Sequence, residues 1–305
     1  ILYRQKRTEL RSARMELADA VKEEGFGKIL LEIQRDFLEE EYGLHLLYNK
    51  FSGFRKSDLT VHEILNALIK AAVELTTSEA PKWEYTAARF LNYQFGLELA
   101  QELKKRGIGS FYDKLRYLTD KELYGAYVLE RYSRQEIEQA EAFLDPQRDK
   151  LFTYAGLDLL LKRYVIRSQH GAPLETPQEM YLGIALYLAM EEKENRMDWV
   201  KRFYDMLSRM EVTMATPTLS NARKSYHQLS SCFIDTVPDD LTGIYRSIDN
   251  FAQVSKFGGG MGLYFGKVRA TGSSIRGFDG AAGGVIRWIK LVNDTAVAVD
   301  QLGMR

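Results

Sequence analysis

One cysteine, Cys232, is all the sulfhydryl chemistry that the 305-residue sequence carries. A disulfide framework within the chain and a cysteine-rich metal site are both excluded, and a single thiol fits a reducing cytoplasm. The four histidines, His45, His62, His170 and His227, include no i, i+4 pair, so no metal site is expected. No apolar run approaches the roughly 18 residues that span a bilayer, and no membrane association is expected. An excess of either charge is missing too. Lysine plus arginine and aspartate plus glutamate both number 42, which removes the general basic surface of a nucleic-acid binder. The opening ILYRQKRTEL lacks an initial Met and a signal-type apolar core, and the sequence stops at Arg305 shortly after a glycine. Both ends read as cut, as in a piece of a longer chain.

What is present is 45% hydrophobic residues, enough to bury the core of one large or two medium domains. The first two hundred residues read as helices. Thr60 and Glu63 have capping-box spacing, followed by Ile64, Leu65, Leu68 and Ala72 on a helical period, with Pro81 as the stop. A helix is expected over 84–105. A second capping box, Thr176 with Glu179 and Pro177 at the first helical position, opens a helix running to about Glu192. Another covers 198–210. Past residue 211 the texture changes, and ten glycines fall between Gly258 and Gly284. Strands are expected over 231–236 and 261–269, with a helix over 239–256 between them and another over 284–299. Strand, helix, strand, loop, helix is an α/β pattern with glycine at its turns.

Three features there carry chemistry. A lone cysteine is most often a small core hydrophobe. The hydroxyls of Ser230 and Ser231 at the start of its strand suit a polar pocket better. GGGMG, from Gly258 to Gly262, is not the dinucleotide fingerprint and precedes a strand, which leaves a tight turn or a close backbone approach to a ligand. Lys256, Lys267, Arg269 and Arg276 form either a solvated face or a phosphate site. The two arginines flank the flexible turn Gly272-Ser273-Ser274, and guanidinium forks match phosphate geometry. Asp239 reads as the N-cap of the helix that follows, placed to accept a bond from a sugar hydroxyl.

These segments together resemble the large subunit of ribonucleotide reductases. ATPTLSNA (215–222), QLSSCF (228–233), Asp239-Asp240-Leu241, SKFGGGMG (255–262), VRATGSSIRG (268–277) and VDQLGMR (299–305) match that family in order and spacing. Upstream, 145–167 and 200–208 look like the helical domain of its class I members, and 56–72 looks like the segment at the end of that domain's effector cone, so the resemblance covers about residues 55–305. It implies a mainly α N-terminal helical domain, then the first strands and helices of the family's ten-stranded α/β barrel. The expected divisions are 1–55, helical and standing where the family has an effector cone, either degenerate or replaced; 56–210, the helical domain; and 211–305, the barrel's start with an effector specificity site.

Residue by residue, the resemblance makes Cys232 the first cysteine of the redox pair that reduces the ribose. Thr216, Ser231 and Gly260 match positions lining the substrate. Asp239, Asp240, Leu241, Arg269, Ile275 and Arg276 match the site of a deoxynucleoside triphosphate effector, with Lys256 as an added candidate. Asp300 and Gln301 open the loop that reports the bound effector to the active site. No cofactor is expected on this chain. The radical is expected from a small partner subunit, reducing equivalents from thioredoxin or glutaredoxin, and allosteric control from dNTPs and ATP. A homodimer of large subunits is implied, through the helices after Asp239 and Gly284. The family's further active-site cysteines, its asparagine and its glutamate lie downstream of residue 305, so the active site is incomplete in this sequence. A second polypeptide completing a split enzyme is one explanation, a truncated chain the other. Two readings remain beside this one: a nucleotide-binding regulatory or assembly module without catalysis, and a cobalamin-dependent class II relative, against which the long helical domain counts.

Overall fold

The computed structural model describes residues 2–23, 25–54 and 59–299, with side chains from residue 11 onward. Lys56 and the segment from Asp300 to Arg305, including the effector-loop candidates Asp300 and Gln301, lie outside the described residues.

Up to Asn221 the chain is helical. Helices α1 (Leu2–Val21), α2 (Phe26–Asp36), α3 (Leu44–Ser52), α4 (Val61–Leu75) and α5 (Trp83–Arg106) come first. Helices α6 (Phe111–Asp120), α7 (Tyr127–Arg131), α8 (Arg134–Glu141), α9 (Tyr154–Arg163), α10 (Pro177–Ala189), α11 (Arg196–Ser208) and α12 (Thr216–Asn221) follow. Both expected capping boxes form. In α4 the Thr60 N–H donates to Glu63 Oε2 at 2.8 Å and the Glu63 N–H to Thr60 Oγ1 at 3.3 Å. Thr176 and Glu179 make the same exchange on α10, where Glu179 also takes the buried Lys114 ammonium at 2.6 Å. A third box, Ser133 with Glu136 on α8, was not anticipated.

Helix α4 ends well before Pro81. The reason lies in the run Thr76-Thr77-Ser78: Thr76 Oγ1 donates back to Ala72 O at 3.3 Å, and Thr77 Oγ1 accepts from the Ala80 N–H at 3.1 Å. Hydroxyls that bond nearby backbone offer an alternative to the helix ladder. Helix α10 likewise stops at Ala189, short of the polar run Glu191 to Glu194.

The helical part has two cores. One runs from Leu17 to Phe90, joining α1–α4 to the first half of α5; it draws on both sides of residue 55. The other runs from Ala88 to Ala222 and is centred on α10, which beyond its first turn is apolar and almost wholly buried. Long α5 serves both, through Phe90 to the first and Phe95 and Leu99 to the second. It ends at Gly107, whose left-handed φ of 66° suits glycine, with the Gly107 N–H closing on Lys104 O.

Beyond residue 230 the expected order appears: β1 (Cys232–Thr236), α13 (Leu241–Lys256), β2 (Gly260–Tyr264), a loop, and α14 (Ile286–Ala298). The strands are parallel, in register from Cys232 opposite Gly260 to Thr236 opposite Tyr264, and α13 supplies the crossover that parallel pairing requires. Beneath them Val237, Ile244 and Ile248 form a small third core with Trp288, Leu291 and Val292 from α14. The second strand is shorter than the 261–269 expected. A turn closes with the Val268 N–H on Phe265 O at 2.9 Å, Val268 packs into the third core, and Arg269 is drawn to Asp239. The first strand begins at Cys232 instead of Ser231.

Candidate functional site

Parallel register places three expected site residues side by side. Cys232 stands opposite Gly260, and the Gly260 N–H donates to Ser231 O at 2.7 Å. Ser231 Oγ lies 3.4 Å from Cys232 Sγ. The strands alternate, so Cys232, Ile234 and Thr236 share one face with Gly260, Gly262 and Tyr264, and that face is open. In this chain Cys232 is exposed, and Ile234 is 88% exposed. The glycine run makes the turn into β2. Gly258 has a φ of 82°, and a Cβ on Gly259 would stand 2.8 Å from Val254 Cγ1 and 2.9 Å from Phe233 Cε2. Close backbone packing thus requires glycine at 259, and β2 reaches register with Cys232 because of it.

Thr216 opens α12, with its hydroxyl 3.2 Å from Tyr164 Oη. Helix α12 holds the segment leading to β1: Asn221 Nδ2 donates to Gln228 O at 3.0 Å, and Thr218 Oγ1 to Leu229 O at 3.5 Å. Behind α12 lies a buried ion pair that sequence reading missed. Arg223 Nε donates to Glu175 Oε2 at 3.2 Å, and its Nη2 also reaches Glu175 Oε1. The same guanidinium bonds Leu219 O and Tyr164 O, each at 2.7 Å, while Glu175 Oε1 accepts the Ile166 N–H at 2.7 Å. No local spacing joins residues 48 apart, so the sequence holds no signal for it.

The second cluster sits at the start of α13. Asp239 Oδ1 accepts the Arg269 N–H at 3.0 Å and Oδ2 the Arg269 Nε–H at 2.8 Å, while Arg269 Nη1 donates to Ser274 O at 3.0 Å. The Arg269 backbone N–H, and then its guanidinium, hold the Asp239 carboxyl below the ordinary range. The cap of α13 is therefore not Asp239 but Asp240, whose Oδ1 accepts the Gly243 N–H at 2.8 Å. Asp239 is freed from capping by its hold on Arg269. Asp240→Ala should cost about 1 kcal/mol, read as a lowered denaturation midpoint at unchanged slope. An unchanged midpoint would show that the cap contributes nothing.

Leu241 is exposed in the first turn. Ile275 and Phe278 exchange backbone bonds of 3.1 and 3.0 Å across Arg276 and Gly277, whose φ values of 51° and 82° are those of a type I′ turn. That turn projects Arg276, which has no ion pair among the described residues. Lys256 is not brought to this cluster. It ends α13, 16 residues long, and so stands roughly 20 Å from Asp240. Among the described residues no group of histidine, cysteine and carboxylate side chains could hold a metal, and no helix is long and apolar enough to cross a membrane.

Comparisons with known proteins agree with the motifs. The family description "Ribonucleotide reductase, all-alpha domain" matches residues 150–227, and "Ribonucleotide reductase, barrel domain" matches residues 230–305. The ribonucleoside-diphosphate reductase subunit alpha of Treponema pallidum (strain Nichols) is 61% identical over the whole chain, which spans 36% of that relative's length. The subunit alpha of Helicobacter pylori (strain ATCC 700392 / 26695) is 37% identical over 82% of the chain and 31% of its own length. That of Synechocystis sp. is 37% identical over 82% of the chain and 32% of its own length. The chain therefore spans about a third of the length of the curated relatives it matches. Helices followed by a parallel β1–α13–β2 unit fit an all-alpha domain followed by the start of a barrel domain, and the chain belongs to the ribonucleotide reductase large-subunit family.

Proposed function

We propose that this chain is the N-terminal part of a catalytic subunit that reduces ribonucleoside diphosphates to 2′-deoxyribonucleotides. In this reading a radical from a small partner subunit becomes a thiyl on a cysteine beyond residue 305. The thiyl takes the 3′ hydrogen atom of the ribose. Cys232 and a second cysteine supply two electrons and two protons at the 2′ carbon, water leaves, the pair closes to a disulfide, and the cysteine that took the hydrogen atom returns it to the 3′ carbon, which regenerates its thiyl. Thioredoxin or glutaredoxin reopens it. Cysteine serves this step because its disulfide is reversible. Thr216, Ser231 and Gly260 line the ribonucleotide, and the residues that complete the site come from the rest of the subunit or from a second polypeptide.

The single observation that carries the reading is the register of Cys232 against Gly260, which gathers a thiol, a hydroxyl and a bare backbone on one open face.

Effector binding belongs to Asp239, Asp240, Leu241, Arg269, Ile275 and Arg276, with deoxynucleoside triphosphates as ligands. Support comes from the paired Asp239 and Arg269 beside the unpaired Arg276 on its tight turn. A homodimer places this site between subunits. Helices α13 and α14 leave Leu241, Tyr245, Ile286 and Val297 exposed, an apolar surface suited to that contact.

Equilibrium dialysis of each of the four dNTPs against the assembled subunit tests the effector site. At least one should bind saturably, and Arg269→Gln should weaken it by about tenfold or more. No saturable binding of any dNTP, or equal binding by the variant, would sink the assignment.

A further inference from the structure

Between the end of α9, the residues after α12 and the glycine turn into β2 lies a cavity of about 410 Å³, on residues that neither the redox nor the effector reading uses. Its walls include Lys162, Arg163, Arg167 and Lys224 against a single carboxylate, Glu122. Two of the four cations have local explanations. Lys162 pairs with Asp158 at 2.7 Å. Arg167 donates to Leu161 O at 3.2 and 3.1 Å and to Gly171 O at 2.6 Å, which orients its guanidinium but leaves its charge unneutralised. Lys162 and Arg163 also end α9, where cations offset the carbonyl end of a helix.

Lys224 has no such explanation. Its backbone is fixed, with its N–H donating to Asn221 O at 2.9 Å and its carbonyl accepting from Tyr127 Oη at 3.0 Å. The residue is half-buried, and its ammonium has no ion pair among the described residues. Burial and the neighbouring Arg223 guanidinium hold it below the ordinary lysine range. Glu175, which is bonded twice to Arg223, acts on the Lys224 ammonium only through space and only partly offsets this. A partly desolvated cation without an ion pair of its own is costly to keep. Arg163 adds a second cation without an ion pair among the described residues.

We infer that this cavity is a binding site for a phosphoanion, with Lys224, Arg163 and Arg167 as its cationic partners. A carboxylate neutralises one charge; a diphosphate spreads several over oxygens that two guanidinium forks and an ammonium can meet together. Tyr226 and Phe257, with ring centroids 5.7 Å apart, stand at the rim. Phe257 leads into the glycine turn, and Asn221, also on the wall, holds Gln228 ahead of Cys232. An anion here would fasten the helical domain to both loops that set the Cys232–Gly260 register. The inference does not rest on the proposed reduction or on the effector site.

Isothermal titration of inorganic pyrophosphate into the assembled subunit, with ADP in a parallel arm, tests this. Pyrophosphate should bind saturably at this site. Lys224→Met and Arg163→Gln should each weaken it by about tenfold, and Arg269→Gln should leave it unchanged. Arg163 is exposed on the last turn of α9, so its loss does not threaten folding, and circular dichroism of the Lys224→Met variant verifies that it folds. Equal affinity for ADP supports a site for phosphates alone. Tighter ADP binding that Tyr226→Ala removes supports a nucleotide-borne phosphate in the same site. Absence of saturable binding overturns the inference, as does binding lost in Arg269→Gln but kept in Lys224→Met.

Discussion

Cys232→Ser in the assembled enzyme is expected to lower deoxynucleotide formation by about 10³-fold or more, while leaving dNTP affinity within about twofold. A serine hydroxyl fits the same space but cannot enter a disulfide, so the two-electron delivery has no donor. The second half of the expectation follows from distance along the fold. Cys232 opens β1, whereas Asp239 and Arg269 meet beyond its far end. Turnover retained within about tenfold would remove Cys232 from the redox pair. Unchanged affinity with lost turnover separates the catalytic reading from a purely regulatory module, for which no turnover exists to lose. A thiol reagent offers a prior check, because the exposed sulfur should be labelled at one equivalent in this chain and protected by bound substrate in the assembled enzyme.

Arg223→Met is expected to destabilise the chain by about 3–5 kcal/mol, since it strands a buried carboxylate. For a domain of this size that corresponds to a fall in melting temperature of about 10 °C. Glu175→Gln should do nearly as much, leaving the guanidinium without its charge partner. The double variant should recover part of the loss, because neither charge is then stranded. Thermal unfolding of the three variants decides it, and melting within about 2 °C of the parent for either single change would show that the pair holds little. The consequence reaches past stability. Arg223 ties Leu219 and Tyr164 to α10's approach, and α12 carries Thr216 and steadies the segment that ends in Cys232.

Much of this was legible in advance wherever the signal is local. Capping boxes at Thr60 and Thr176 declare themselves over three residues and both form. Alternation of helix, strand and glycine turn after residue 211 announces a parallel unit, and β1–α13–β2 is one. Asp239 and Arg269 each stand out in the sequence, yet their bond to each other does not, for 30 residues separate them. That bond is also why the cap fell to Asp240: two carboxylates stand in succession, and only long-range contact decides which one takes the helix. Lys256 shows the opposite error. Closeness in sequence to the glycine run and to Arg269 placed it with the phosphate ligands, while the rigid length of α13 carries it to the other end. Glu175 and Arg223, and the unpaired Lys224 beside them, belong to packing between distant segments, which no periodicity records.

The pairing of Cys232 with Gly260 bears on how a disulfide at this place is opened. Thiol–disulfide exchange proceeds through a mixed disulfide, in which an incoming sulfur approaches in line with the bond it breaks. That geometry needs a corridor beside the sulfur as wide as another thiol. Across the strand from Cys232 the neighbour contributes only a hydrogen atom, so under the proposed redox role the sheet itself leaves room for that corridor. A Cβ at residue 260 meets nothing closer than Ser231 O at 3.5 Å, so alanine is sterically admissible there. Valine would fold into the same sheet yet crowd the corridor, and recycling of the oxidised enzyme would slow before its first reduction of substrate did.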